Sequence, residues 1–266
     1  MIITKRKYQR DLGWDEELPG NLASNTCVFI FGAPSYFESS EVISGLINRY
    51  SELHIVGCSS SGEIFHDQVF DESLAVAFVT FESTEIKVVE HEIVNNQESL
   101  SIGQKIAQDL SKGGAPGGVV IFSEGLNING SELSRGLVEK LPEKTCVTGG
   151  LAGDGKRFEN TWVVTRQGIS QDRVVALGLY GSNLIFEHGS QGGWDIFGPE
   201  RRITKSKGNV LYEIDGRPAL SLYKEYLGEK ANELPSSALL FPLQIRQGTE
   251  TQRKLVRTVL AVDHEE

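Results

Sequence analysis

Apolar positions fall into two textures along this chain, and the change between them comes near residue 160. Before it, short unbroken apolar runs alternate with stretches of helical spacing. Cys27-Val28-Phe29-Ile30-Phe31 is a continuous run of strand length, the pattern of a strand covered on both faces. It stops at Gly32-Ala33-Pro34-Ser35, and from 40 to 50 the residues Val42, Ile43, Leu46, Ile47 and Tyr50 share one helical face. Residues 53–57 predict the next strand, so the three segments form a β-α-β unit with parallel strands.

Residues 73–81 and 85–94 predict two strands joined as a hairpin by Glu82-Ser83-Thr84. A helix over 99–110 follows, N-capped by Ser99, and Gly113-Gly114-Ala115-Pro116 ends it. Residues 119–122 read as a buried strand, a helix capped by Ser131 carries Leu133, Leu137, Val138 and Leu141, and a strand over 145–148 closes a second β-α-β unit. Beyond residue 160 the pattern turns antiparallel, with strands at 161–165, 174–180 and 184–187, a hairpin of 203–206 with 210–214, a helix opened by Pro218, and strands within 238–245 and 254–262. Residues 1–26 hold no sustained period and read as a lead-in with one edge strand. The fold class is α/β with α+β character: mixed β-sheets, β-α-β units in the first half and antiparallel strands after about residue 160.

Two glycine-rich stretches stand out against this frame. Gly57-Cys58-Ser59-Ser60-Ser61-Gly62 and Gly149-Gly150-Leu151-Ala152-Gly153-Asp154-Gly155 each follow a strand and present backbone amides with little side-chain bulk. In open α/β sheets ligands bind beyond the carboxyl ends of parallel strands. If the four strands ending near Phe31, Val56, Phe122 and Thr148 are parallel neighbours, these turns, with Ser123 and Asn127, line one mouth.

Composition narrows the possibilities further. An apolar share of 39% and a charged share of 23% are those of an ordinary globular chain. No apolar run approaches the roughly 18 residues that span a bilayer, and the charged start excludes a signal peptide, so a cytoplasmic location is expected. A net charge of −10 argues against nucleic acid. Three cysteines, Cys27, Cys58 and Cys146, show neither a disulfide framework nor zinc spacing.

The chain resembles the FIST proteins, named for F-box and intracellular signal transduction. The resemblance rests on four segments: Ile55-Val56-Gly57-Cys58-Ser59-Ser60-Ser61-Gly62-Glu63-Ile64, Gly149-Gly150-Leu151-Ala152-Gly153-Asp154, Ser190-Gln191-Gly192-Gly193-Trp194-Asp195-Ile196-Phe197-Gly198-Pro199, and Val210-Leu211-Tyr212-Glu213-Ile214-Asp215-Gly216-Arg217-Pro218-Ala219-Leu220. It implies an N-type sensory domain over 27–214 and a shortened C-type segment over 215–266. It also implies a non-enzymatic sensor that binds a small ligand, an amino acid or similar metabolite, and signals in trans to a histidine kinase, a chemoreceptor or a cyclic-dinucleotide enzyme. One branch of the family resembles haem-binding nitric oxide sensors.

The candidate ligand-binding residues are Gly57, Cys58, Ser59, Ser60, Ser61, Gly62, Ser123, Asn127, Gly149, Gly150, Gly153, Asp154, Gln191 and Trp194. The serines offer hydrogen bonds to a carboxylate, Asp154 a charge for an amine, and Trp194 a pocket wall; each is equally at home as a turn or packing residue. No cofactor is expected; were haem bound, His188 or His66 would be its axial ligand. A hydrolase using Cys58 or a serine of 59–61 is the remaining alternative, and it needs a base that the sequence does not place.

Overall fold

Successive strand residues point to opposite faces, and in the first half of this chain both faces are covered. The computed structural model describes residues 1–189, 193–246, 248 and 255–263, which divide into two units, Met1–His188 and Gly189–Glu266. In the first unit the chain runs β1 (Ile2–Gln9), β2 (Gly13–Trp14), β3 (Thr26–Gly32), α1 (Pro34–Ser39), α2 (Glu41–Arg49), β4 (His54–Ser59), β5 (Glu63–Phe65), β6 (Gln68–Phe70) and β7 (Ser73–Thr80). It continues through β8 (Glu85–Glu92), α3 (Ser99–Ser111), β9 (Gly118–Ser123), α4 (Gly130–Lys140), β10 (Cys146–Leu151), β11 (Val163–Thr165), β12 (Gly168–Ser170) and β13 (Arg173–Tyr180). The strands make a seven-stranded sheet ordered β12-β11-β4-β3-β7-β1-β2, a four-stranded sheet ordered β10-β9-β13-β8, and the separate hairpin β5-β6.

The alternation along each strand sorts the apolar side chains into three cores. Val28, Ile30, Ile55, Leu74, Val76 and Phe78 leave one face of the larger sheet and pack under α1 and α2 through Phe37, Ile43 and Leu46. Val119, Ile121, Val174 and Ala176 leave one face of the smaller sheet and meet Ile102, Ile106, Leu133 and Leu137 of α3 and α4. The opposite faces, with Cys27, Val56, Cys58 and Val79 from one sheet and Phe122, Val175, Leu177 and Leu179 from the other, close on each other. The first unit is therefore a four-layer stack of helices, sheet, sheet and helices. Phe31 and Phe122 meet edge to face across the middle at 5.3 Å, a geometry worth about 0.5–1.5 kcal/mol beyond buried area.

Both β-α-β units are present, since β3 pairs with β4 and β9 with β10 in parallel. They lie in different sheets, so the four strands are not neighbours in one. The hairpin expected at 82–84 is also absent: β7 pairs with β3 and β1 in the larger sheet, while β8 pairs with β13 in the smaller. Both strands carry the alternation that a hairpin requires, and only the available partners distinguish the two outcomes. The lead-in contains a full strand, as all eight residues of β1 pair with β7. Residues 184–187 form no strand, although Leu184 and Phe186 pack against the inter-sheet core; packing alone produced their alternation.

The helix caps move by a residue or two. Asn129 caps α4, its Oδ1 accepting from the amides of Ser131 and Glu132 at 3.1 and 3.2 Å. Ser99 is buried inside the first turn of α3, donating to Asn96 O at 2.6 Å and accepting from Asn129 N at 2.9 Å.

The second unit holds β14 (Ile203–Lys207), β15 (Val210–Ile214), β16 (Arg217–Pro218), α5 (Ala219–Leu227), β17 (Leu243–Ile245) and β18 (Leu255–Arg257). β14 and β15 form the expected hairpin about Gly208, whose φ is 59°. Pro218 opens α5 and Gly228 ends it. The strands expected within 238–245 and 254–262 shrink to the antiparallel pair β17-β18. No helix among the described residues is long and apolar enough to cross a membrane.

Candidate functional site

The glycine-rich stretches begin inside strands. β4 continues through Gly57, Cys58 and Ser59, and β10 through Gly149, Gly150 and Leu151, so the turns proper are 60–62 and 152–155. Their small residues serve close backbone approach as well as exposure. Although β4 and β10 belong to different sheets, their carboxyl ends converge. Gly153 N donates to Ser59 O at 3.0 Å and Gly155 N to Ser61 Oγ at 3.0 Å. Ala152 N donates to Ser123 O at 2.7 Å, which brings the end of β9 to the same place.

Several candidates are occupied in building this junction. Ser59 is buried; its amide donates to Trp162 O at 2.9 Å and its Oγ accepts from Trp162 N at 3.1 Å. Ser60 donates its amide to Gly32 O at 2.9 Å and its hydroxyl to Glu63 Oε1 at 2.7 Å. Asp154, 6% exposed, accepts the amides of Phe158, Glu159 and Asn160 at 3.1, 2.7 and 3.1 Å, so its carboxylate folds the 154–160 loop. Ser123 is buried at the end of β9, and its hydroxyl has no partner among the described residues. Ser61, Asn127, Gly149 and Gly150 are exposed around the junction, with Gly62 half-buried beside them. β10 is the outermost strand of its sheet, so one side of its backbone has no neighbouring strand among the described residues.

Cys58 points between the sheets, 6% exposed, and burial pushes its thiol up to about 12. Burial thus shifts the thiol away from the lowered range of activated cysteines. Trp194 lies in the second unit at 52% exposure. Gln191 falls outside the described residues. Haem ligation needs a histidine facing an enclosed apolar cavity, whereas His66 and His188 are both exposed, His66 beside Lys5 Nζ at 3.5 Å and His188 beside Cys146. These two side chains do not fit the group.

Two buried carboxylates at the same strand ends were not among the sequence candidates. Glu63, 2% exposed, accepts from Ser60 Oγ on one oxygen and from Ser73 N and Oγ, at 3.2 and 2.7 Å, on the other. Glu124, 1% exposed, accepts the amides of Leu126 and Asn127 at 2.9 and 2.7 Å. The serine three residues before Glu63 and the glycine after Glu124 were the available signals, and both are common turn patterns. Burial pushes both carboxyls above the ordinary glutamate range, partly offset by the hydroxyl and amide donors.

A raised folded value means that the native chain holds the proton more tightly than the unfolded one. The resulting stabilisation is complete below the ordinary glutamate range and is lost as pH rises through the folded value. In Glu63→Gln the amide oxygen can take the Ser73 donors and the amide nitrogen can donate to Ser60. Its stability relative to wild type is therefore expected to improve as pH rises from about 4.3 through neutrality, read from urea midpoints at each pH. An unchanged difference across that window would show that the carboxyl titrates alike in both states.

Residues 26–217 match the family model described as FIST N domain. The uncharacterized protein MJ1623 of Methanocaldococcus jannaschii is 25% identical over 233 residues, covering 80% of this chain and 43% of that relative. The chain thus spans less than half the relative's length. No solved structure matches the chain.

Proposed function

Because the chain belongs to the FIST N domain family, whose members are sensor modules of signal transduction, we propose that it binds a small zwitterionic ligand, an amino acid or similar metabolite, and signals in trans without catalysis. One observation carries this reading: the ends of β4, β9 and β10, drawn from two sheets, meet in loops of small residues beside an open strand edge. The backbone groups of Gly149 and Gly150, the Ser61 hydroxyl and Asn127 supply donors and acceptors of the kind that hold a carboxylate and an ammonium group. The partner in this reading is a cytoplasmic histidine kinase, chemoreceptor or cyclic-dinucleotide enzyme.

A ligand that binds only the native state stabilises it by about 1.4 kcal/mol at roughly tenfold excess over Kd. In a chain of this size that amounts to a Tm rise of about 3–5 °C. A thermal-shift screen of free amino acids and small carboxylates at millimolar concentration is the test. Gly150 provides the control, because a Cβ there meets nothing within 4 Å. Gly150→Leu is expected to leave the unliganded Tm unchanged and to abolish the shift. No shift with any compound would sink the proposal, and a shift that survives Gly150→Leu would move the ligand elsewhere.

A further inference from the structure

Of the three cysteines, Cys27 and Cys58 are buried and Cys146 is half-buried on the edge strand β10. Burial pushes the first two thiols above their ordinary range. Cys146 differs in its neighbour as well, since its Sγ lies 3.4 Å from Nδ1 of His188, within thiol-imidazole hydrogen-bond range. The histidine is held in place from its own segment. Leu184 and Phe186 pack against the inter-sheet core, and Phe186 covers Gly118, where an added Cβ would lie 2.5 Å from the ring. His188, two residues further on, is thereby delivered to the start of β10.

We propose that Cys146 and His188 form a thiol-modification site that exchanges with small disulfides. In the step, the imidazole takes the thiol proton and the sulfur attacks one sulfur of R-S-S-R. The new S–S bond of Cys146-S-S-R forms as the S–S bond of the small disulfide breaks, and the departing thiolate RS⁻ takes the proton back from the imidazolium and leaves as RSH. The small disulfide is the oxidant, so no other co-reactant is needed. The site is separate from the ligand-binding residues proposed above, and neither reading depends on the other.

The experiment treats the full chain, under native conditions, with dithiobis(nitrobenzoate) and with oxidised glutathione. Release of about one equivalent of aryl thiolate, with the mixed disulfide mapped to Cys146 by peptide mass, is expected from an accessible thiol beside a base. Cys146→Ser should take up no label. His188→Gln should slow labelling about tenfold at neutral pH, with an unchanged circular dichroism spectrum. Labelling of Cys27 or Cys58 at a comparable rate would overturn the proposal. So would a His188→Gln chain that labels at the wild-type rate.

Discussion

Alanine at Gly57 is expected to cost about 3 kcal/mol of folding stability, the upper end of what overpacking costs, whereas alanine at Gly149 should cost roughly half as much. Each glycine occupies the second strand of a parallel pair, in register with Ile30 and Ile121 respectively. A Cβ would fall 1.8 Å from Ile30 O at the first position and 1.9 Å from Ile121 O at the second. Both are backbone atoms, so no side-chain rotation relieves the clash. The positions differ in how far their strands can retreat. β4 is held on its other side by β11, with Gly57 opposite Val164, and moving it breaks one ladder to save another. β10 is an edge strand that can shift outward, although its glycine adds strain of its own at φ 145°. Urea unfolding of the two variants measures the difference. Equal costs would mean that the second neighbour of β4 does not constrain it, and a Gly57→Ala cost below about 1 kcal/mol would show that the parallel pair yields without loss.

Asp154→Ala is expected to lower stability by about 2–3 kcal/mol and to abolish any response to ligand. The aspartate accepts three consecutive backbone amides, Phe158 to Asn160, and hydrogen bonds to a charged acceptor contribute about 1.5–3 kcal/mol each. Glu159 and Asn160 are exposed, so water replaces part of what is lost, and the total stays near the value of one or two such bonds. Hydrogen exchange should report the same event locally, with the amides of 158–160 losing protection before the sheets do. Asp154→Asn keeps an acceptor without the charge and should fall between. The pairing of the two readouts separates roles: a stable Asp154→Ala chain that no longer responds to ligand would place the carboxylate on the ligand itself.

Much of this arrangement was legible in the residues. Continuous apolar runs such as Cys27 to Phe31 and Val119 to Phe122 belong to strands covered on both faces, and their periods differ from those of α2, α3 and α4, so the β-α-β units and the antiparallel texture after residue 160 followed from local pattern. The two stretches of small residues were visible too, because 57–62 holds only Gly, Ser and Cys and 149–155 holds four glycines in seven residues, which relaxes a constraint that only backbone geometry imposes. Pattern could not say which strands pair. β7 and β8 have the alternation of a hairpin, yet each finds its partners in a different sheet, since alternation records that a face is buried and not what buries it. Nor could it distinguish a glycine kept for exposure, like Gly150, from one kept because Ile30 O leaves no room, like Gly57. The buried carboxylates of Glu63 and Glu124 escaped notice for the same reason. A glutamate beside serine or glycine is an ordinary turn residue until the tertiary fold removes its water and supplies hydroxyl and amide donors in exchange. The chain by itself determined the central strands and the helices of the two β-α-β units, whereas packing decided that 184–187 would stay outside any strand and that the ends of two separate sheets would meet at one place.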